Sequence, residues 1–198
     1  MVENTESSKP ELTPEAKEIK EDPATFERIK AKLEEMKIDF KLTTVSHPSF
    51  NSFQHEPVLT SQEAADIRGV SLSSGAKAML LKDCGKKLTL AGVPFYLAIL
   101  SASKRFSSKD FKKLINCKNI RFANTEEVFE VSGCITGAVP PFGSLFTKPV
   151  PTFVDESLAK EERINFNCGL RTHSISMTYA DYSKVEGVSK THLFTEAD

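Results

Sequence analysis

The stretch GAKAMLLKD, residues 75–83, has the length and apolar content of a β-strand, but its third residue is a lysine. Side chains alternate along a strand, so Lys77 shares one face with Met79 and Leu81. An ammonium group is costly to desolvate. On such a face it is paired, extended to solvent at the edge of the sheet, or used to bind a ligand. The strand by itself leaves these three alternatives open.

The segments on either side of this strand place it in a sheet. Residues 60–63, Thr-Ser-Gln-Glu, have the sequence of a capping box, which predicts a short helix that ends at Gly69. After the strand, CGKK predicts a turn and LTLAG, residues 88–92, a returning strand. PFYLAIL, residues 94–100, is a continuous apolar run of strand length and predicts a strand in the centre of the sheet.

The rest of the pattern is an irregular mixture of strands and short helices. Apolar residues at helical spacing predict an amphipathic helix over 23–37. Further segments predict a strand over 40–47, a basic helix over 108–116 and a final helix over 179–185. Such a mixture is typical of an α+β (mixed α/β) fold rather than a regular doubly wound sheet.

The composition limits the class of protein. The hydrophobic and charged fractions, 39% and 27%, are typical of a soluble globular chain, and no apolar run approaches the length of a membrane span. We predict a disordered acidic segment over 1–22, without the features of a secretory signal, and a single domain over 23–198. The four cysteines show no C-x-x-C spacing and the histidines are scattered, so neither a disulfide framework nor a metal site is predicted. A cytoplasmic protein without membrane contact is expected.

Charge is distributed unevenly along the chain. Residues 1–22 carry seven acidic and three basic side chains, and the remainder carries 23 basic and 20 acidic ones. Between residues 104 and 121 a single acidic residue, Asp110, accompanies a run of basic ones: Lys104, Arg105, Lys109, Lys112, Lys113, Lys118 and Arg121. Either a solvated helix face or a surface that contacts phosphates explains this run.

Two further segments have the composition of a binding site. The loop GAVPPFG, residues 137–143, offers a rigid backbone but no acid, base or nucleophile, and it equally fits a stiff connecting turn. The segment NCGLRTHS, residues 167–174, gathers an amide, a thiol, an imidazole and hydroxyls. A nucleophile pair of Cys168 and His173 is one interpretation, and a buried cysteine beside a turn histidine is the other.

Taken in order, these segments resemble the YbaK and prolyl-tRNA synthetase-associated editing domain superfamily, whose members remove wrongly attached amino acids from tRNA. The resemblance extends from about His55 to Tyr182. It is carried by HEPVLTSQEAADIRG before GAKAMLLK, and then by TGAVPPFG, PTFVDESL and INFNCGLRTHSISM.

The resemblance implies a strongly curved, barrel-like mixed sheet, surrounded by short helices, that encloses a pocket for the 3′ end of an aminoacylated tRNA. Lys77 stands at the position of the family's main functional side chain, and the backbone of Gly137 and Ala138 is implied in catalysis. The implied substrate-binding residues are His55, Thr60, Pro140, Pro141, Phe142, Gly143, Asn167, Cys168, Gly169, His173 and Ser174. The implied tRNA-binding residues are Lys104, Arg105, Lys109, Lys112 and Lys113.

The implied activity is trans-editing, the hydrolysis of the ester in a mischarged tRNA that carries Ala, Ser, Cys or Thr. An aminoacyl ester is already activated, so a positioned water and support for the developing oxyanion suffice, with no metal, cofactor or covalent nucleophile. Two alternatives stay open. One is a non-catalytic module that binds tRNA or a synthetase complex, and the other is a hydrolase that uses Cys168.

Departures from the family pattern leave the substrate open. Ala138 stands where many members have a second glycine. Ala78 and Asn167 stand where the alanine-editing branch tends to have asparagine and histidine. The specificity of that branch is therefore not carried over to this chain.

Overall fold

The computed structural model describes residues 19–44, 61–85 and 94–196. The helices in these ranges are α1 Ala24–Glu35, α2 Ser61–Arg68, α3 Ser108–Leu114, α4 Thr125–Ser132, α5 Glu156–Ala159 and α6 Tyr179–Glu186. The strands are β1 Phe40–Thr44, β2 Ala76–Asp83, β3 Phe95–Ser101, β4 Ile120–Phe122, β5 Thr152–Val154, β6 Arg163–Asn167 and β7 His173–Thr178. None of the described helices has both the length and the apolar character needed to cross a membrane.

The described strands form two sheets. In the three-stranded sheet β7 lies between β1 and β6, and both pairs are antiparallel. The four-stranded sheet has the order β4-β2-β3-β5, in which only β3 and β5 are parallel. A parallel bridge between Gly75 and Asn165 brings the two sheets together. The mixed α+β class is confirmed.

The barrel-like closure that we expected is not found among the described strands. The reason lies in β2, which pairs with β4 only over Leu81–Asp83. The Leu80 carbonyl accepts the last hydrogen bond from that side, from the Ala123 N–H at 2.9 Å. Among the described strands, the first half of β2 is therefore paired with β3 alone. Beyond the bridge at Gly75, its other edge is left open there, where a closed barrel would continue.

Both faces of β2 are covered by apolar residues. Ala78 and Leu80 belong to the main core, which includes residues of α1, β3, β6, β7 and α6. Met79 and Leu81 pack on the opposite face, in a second core with Phe111 of α3. The alternation predicted for this strand is confirmed, and it assigns Lys77 to the face that carries α3.

The predicted helices near both ends and in the basic run are confirmed within two residues. α1 begins at Ala24, one residue later than expected, and the Asp22 carboxylate accepts a hydrogen bond from the Ala24 N–H at 2.9 Å. Residues 1–18 and the returning strand over 88–92 lie outside the described residues. The Glu21 carboxylate accepts a hydrogen bond from the Arg171 N–H at 2.9 Å, so the end of the acidic segment contacts the domain.

Candidate functional site

A pocket of about 180 Å³ lies where the two sheets approach each other. The end of α2, the start of β2, the end of β6 and the loop after α4 all contribute to its lining. The apolar part of the wall includes Ala76, Ala78, Val139 and Phe166. The polar part consists of Arg68, Lys77, Asn165 and Asn167, and Gly137 contributes backbone.

The open edge of β2 forms one side of this pocket. The Gly75 carbonyl accepts a hydrogen bond from the Ala102 N–H at 2.7 Å. This bond fixes which residues of β2 direct their backbone N–H and C=O groups toward β3. Because the direction of N–H and C=O alternates along a strand, those of Ala78 are directed away from β3. No described strand pairs with β2 at Ala78 on that side. A donor and an acceptor are thus left for a ligand.

Lys77 of β2 has no charged partner among the described residues. Its side chain is partly exposed and borders the pocket. Within the described ranges, its ammonium group forms no hydrogen bond and no ion pair. Three N–H donors and a full positive charge are therefore available at the pocket.

Arg68, the last residue of α2, is the second cation at the pocket. Its Nε donates to the Ser174 hydroxyl at 3.0 Å, and its Nη2 donates to the Asn167 side-chain oxygen. Burial lowers the pKa of the Arg68 guanidinium from its usual value. The described partners of this guanidinium are neutral, so its charge is not balanced by a carboxylate.

The turn at Gly137 is held by side chains from two directions. Asn167 Nδ2 donates to the Gly137 carbonyl at 2.5 Å, and Arg171 Nη2 donates to the Thr136 carbonyl at 3.0 Å. Gly137 has a φ of +89°, a conformation that favours glycine. Its N–H has no hydrogen-bond partner in the described part of the chain. The turn thus fixes one unused backbone donor on the pocket wall.

The electrostatic character of the pocket follows from these groups. Lys77 and Arg68 are both at the wall, and no Asp or Glu of the described residues lines it. Such a site favours an anionic ligand or an anionic transition state. In the described ranges, no three His, Cys, Asp or Glu side chains lie together as metal ligands.

Apart from Gly137 and Val139, the residues of the 137–143 loop do not line the pocket. Ala138 is fully buried, its N–H donates to the Ile135 carbonyl at 3.0 Å, and its carbonyl accepts from the Gly169 N–H at 2.9 Å. Phe142 lies in the main core, and the neighbouring Pro140, Pro141 and Gly143 are buried as well. The backbone groups of Ala138 and Gly143 are used within the fold, so we correct the expectation that they face a ligand.

α6 anchors this loop from behind. The Tyr182 hydroxyl donates to the Pro141 carbonyl at 3.0 Å. One turn later the Glu186 carboxylate accepts from the Ser144 hydroxyl at 2.6 Å. Burial raises the pKa of Glu186. Pro140, Pro141 and Phe142 therefore hold the loop that carries the pocket wall in place, but they do not line the pocket.

The 167–174 segment contributes less to the pocket than we expected. Cys168 is fully buried in the main core, where burial raises the pKa of its thiol. The His173 ring packs against Phe26 with 4.8 Å between ring centroids, and its Nδ1 shares a hydrogen bond with the Thr172 hydroxyl at 2.9 Å. These placements do not support a Cys168–His173 nucleophile pair, since a buried thiol with a raised pKa is a poor nucleophile.

Gly169 and Ser174 support the site without lining it. Gly169 has a φ of +84°, and a side chain there would place its Cβ 2.9 Å from the backbone nitrogen of Phe26. Ser174 accepts the hydrogen bond from Arg68 described above. The two remaining expected substrate-binding residues, His55 and Thr60, lie outside the described residues.

The expected tRNA-binding residues lie apart from the pocket wall. Lys104 and Arg105 precede α3, and Lys109, Lys112 and Lys113 are on it. The Lys113 ammonium forms an ion pair with Asp110 at 3.0 Å. None of the five lines the pocket in the part of the chain that the structure describes.

Sequence reasoning missed Arg68 and Asn165. Asn165 Nδ2 donates to the Ser74 hydroxyl at 2.9 Å, next to the bridge that joins the sheets. Arg68 could have been found, because it stands three residues after Ala65 on α2 and so shares its helix face. Ala65 is buried, and a cation on a buried helix face is a signal of the same kind as Lys77.

Comparison with known protein families gives one match over most of the described chain. The model of the aminoacyl-tRNA editing domain family matches residues 55–185. A curated relative from Escherichia coli strain K12, the multifunctional Ser/Thr-tRNA deacylase ProXp-y, is 29% identical over 169 residues. That alignment covers 85% of this chain and 92% of the relative.

Solved structures with the same fold give a consistent result. A candidate trans-editing enzyme for prolyl tRNA synthetase superposes with a TM-score of 0.69 at 21% identity, covering 94% of this chain and 100% of the other. The hypothetical protein APE2540 superposes with a TM-score of 0.68 at 21% identity, covering 85% of this chain and 99% of the other. At these identities the likeness establishes the fold alone.

Proposed function

The chain belongs to the aminoacyl-tRNA editing domain family, and on that basis we propose that it is a trans-editing aminoacyl-tRNA deacylase. The observation that carries the proposal is the pocket, which combines the Lys77 ammonium, Arg68 and the Gly137 N–H. Among the described residues, Lys77 and this N–H have no partner and no carboxylate lines the wall. These are the groups that an ester linked to a polyanion requires, namely cations for phosphate and a donor for the oxyanion.

The proposed substrates are tRNAs mischarged with a small amino acid. Ser and Thr come first, because the relative from Escherichia coli is a Ser/Thr-tRNA deacylase. Ala and Cys fit the same size class. A pocket of about 180 Å³ suits a small side chain beside a ribose, and large side chains would be excluded by size.

In the proposed mechanism the protein positions the ester and water supplies the nucleophile. The water oxygen bonds to the ester carbonyl carbon, the bond from that carbon to the ribose oxygen breaks, and the proton passes to the departing ribose oxygen. The Gly137 N–H donates to the carbonyl oxygen as it becomes negative. Lys77 binds the phosphate of the terminal nucleotide, and the neighbouring ribose hydroxyl helps to orient the water.

The surface proposed to bind the body of the tRNA is the basic run around α3. It comprises Lys104, Arg105, Lys109, Lys112 and Lys113. The support for this role is the density of positive charge along this run in a chain whose proposed substrate is a nucleic acid.

Deacylation of a panel of mischarged tRNAs tests the proposed function. The wild-type protein should release Ser or Thr faster than the uncatalysed rate, and Lys77→Ala should lower that rate by about 100- to 1,000-fold, since a charged contact to the reacting substrate is lost. Lys41→Ala, which removes an exposed lysine from β1, is the matched control and should leave the rate unchanged.

Two outcomes would contradict the proposal. Binding of tRNA without turnover across the panel would make the chain a non-catalytic module. Turnover that survives in Lys77→Ala but is lost in Cys168→Ala would instead point to a cysteine-dependent hydrolase, which the buried position of that thiol argues against.

A further inference from the structure

Phe122 is an aromatic side chain in an unusual position. It ends the edge strand β4 and is 57% exposed. Among the described phenylalanines and tyrosines it is the only exposed one. A large aromatic surface left in water at a sheet edge marks a place where another molecule can pack.

Phe122 lies on the same sheet face as Lys77. It pairs directly with Leu81 of β2, and directly paired residues place their side chains on one face. Leu81 and Lys77 are four residues apart on one strand and share that face. The two positions are therefore separated by about 13 Å along β2 and about 5 Å across to β4. Because the second core covers the face between them, a polymer whose end enters the pocket at Lys77 reaches Phe122 along the sheet edge formed by β4.

The ring of Phe122 is supported from below by other aromatic rings. Its centroid is 5.9 Å from that of Phe106, and the Phe106 centroid is 5.4 Å from that of Phe111 on α3. The backbone is held as well, since Arg121 Nη1 donates to the Phe122 carbonyl at 3.0 Å. Arg121 is itself fixed by Glu127, with two hydrogen bonds of 2.7 Å. The exposed ring of Phe122 is thus held in a fixed position.

The helix that supports this ring is basic. Phe111, which supports it through Phe106, belongs to α3, and that helix also carries Lys109 and Lys112. In the described ranges neither of these lysines forms a hydrogen bond or an ion pair. A rigid aromatic ring supported by a lysine-bearing helix fits single-stranded nucleic acid, whose bases stack and whose phosphates pair with lysine.

We propose that Phe122 is a stacking platform for an unpaired nucleotide of the tRNA 3′ end, a few nucleotides before the esterified one. The proposal rests on the function proposed above and adds a contact outside the pocket. Phe122 touches no reacting atom, so its contribution is to substrate binding. Loss of one base stacked on an aromatic ring weakens binding by about 5- to 100-fold.

Kinetics with two substrates test this platform. With a mischarged tRNA, Phe122→Ala should raise KM by about 5- to 100-fold and leave kcat unchanged. Phe122→Trp should retain the wild-type KM, while Phe122→Leu, which is apolar but cannot stack, should resemble Phe122→Ala. With an aminoacyl-adenosine, which has no preceding nucleotides, all four proteins should be equal. Leu42→Ala, at an exposed apolar residue of β1, is the matched control.

The outcomes separate this proposal from the proposed function. An unchanged KM in Phe122→Ala, or a Leu variant as good as wild type, overturns the platform while leaving deacylation intact. If Phe122→Ala impairs the reaction of the aminoacyl-adenosine as much as that of the tRNA, the substitution disturbs the fold. That outcome also overturns the platform. If the wild type does not deacylate, the affinity for uncharged tRNA is measured with and without its single-stranded 3′ end. The platform requires that removal of this end and Phe122→Ala together weaken binding by less than the sum of their separate effects.

Discussion

At the scale of single residues, the pocket is governed by two cations with different surroundings. Lys77 has no described partner and is free to contact substrate. Arg68 is held by Ser174 and Asn167, and Asn167 in turn holds the Gly137 carbonyl. Arg68 therefore fixes the turn whose N–H is proposed to stabilise the oxyanion. Its effect on catalysis is indirect, through positioning.

Replacement of Arg68 by glutamine should separate this indirect role from substrate binding. Without the guanidinium, the Asn167 amide loses the donor that orients it, and the Gly137 turn loosens. We expect kcat to fall by about 10- to 100-fold with a smaller change in KM, because an oxyanion donor acts mainly in the transition state.

The matched variant is Asn167→Asp, which removes the amide donor to Gly137 but leaves an acceptor for Arg68. It should lower kcat to a similar extent, and the double variant should be no worse than either single one. Additive losses in the double variant would show that the two side chains act independently, contrary to this account.

At the scale of elements, β2 and α3 contribute separately to the proposed binding of tRNA. β2 supplies Lys77 and an open edge at Ala78 to the pocket, because β4 pairs only with its last three residues. α3 packs Phe111 into the second core and turns its lysines outward. The helix is well anchored at its start, where the Ser107 hydroxyl accepts from the Asp110 N–H at 3.3 Å.

Charge reversal on α3 should weaken tRNA binding to different extents in Lys112→Glu and Lys113→Glu. Lys112→Glu should have the larger effect, because Lys113 is already paired with Asp110 at 3.0 Å. We expect a several-fold rise in Kd for Lys112→Glu and a smaller salt dependence of binding, since each phosphate contact contributes about one unit to the salt slope. Measurement of Kd against salt concentration checks this. Equal Kd values and slopes for both variants and wild type would remove α3 from the interface.

At the scale of the whole molecule, one ion-pair network ties the four-stranded sheet to α4. The Glu127 carboxylate accepts from Arg121 and from Lys82, the latter at 2.6 Å, and also completes the capping box with Asn124. The Arg121 hydrogen bonds, followed by that of Lys82, hold the pKa of Glu127 well below its usual value of 4.5. The network therefore links folding stability to pH.

The sign of that link gives a stability prediction. A carboxylate with a lowered pKa contributes stability above its unfolded pKa of 4.5, and the contribution is lost as the pH falls below that value toward the folded pKa. Glu127→Gln keeps the capping box and removes the charge. It should lower the free energy of unfolding at pH 7 by about 1 kcal/mol, because Lys82 and Arg121 are partly exposed. The variant and wild type should converge at low pH.

Denaturant unfolding between pH 2 and pH 7 measures this effect. Glu130→Gln is the control on the same helix, since Glu130 pairs with Lys148 at the surface. It should change stability little at any pH. A Glu127→Gln curve parallel to wild type over this range would contradict the linkage.

The sequence by itself determined the elements that have a strong local signal. The helical spacing in residues 26–36 buries one face, whereas the strands over 76–81 and 94–100 pack on both faces. Such patterns are fixed by side-chain period alone. The order of the family-like segments also brought Lys77, Gly137 and Asn167 together as expected site residues, and all three line the pocket.

Only the tertiary structure decided which neighbours of those residues reach the pocket. Ala138 and Cys168 are adjacent in sequence to pocket residues yet are buried in apolar cores, while Arg68, from a distant helix, lines the wall. The open edge of β2 likewise depends on how far β4 extends beside it. The physical reason is that local sequence sets the period of an element, whereas the direction of each face, and hence burial or exposure, is set by packing against elements far away in the chain.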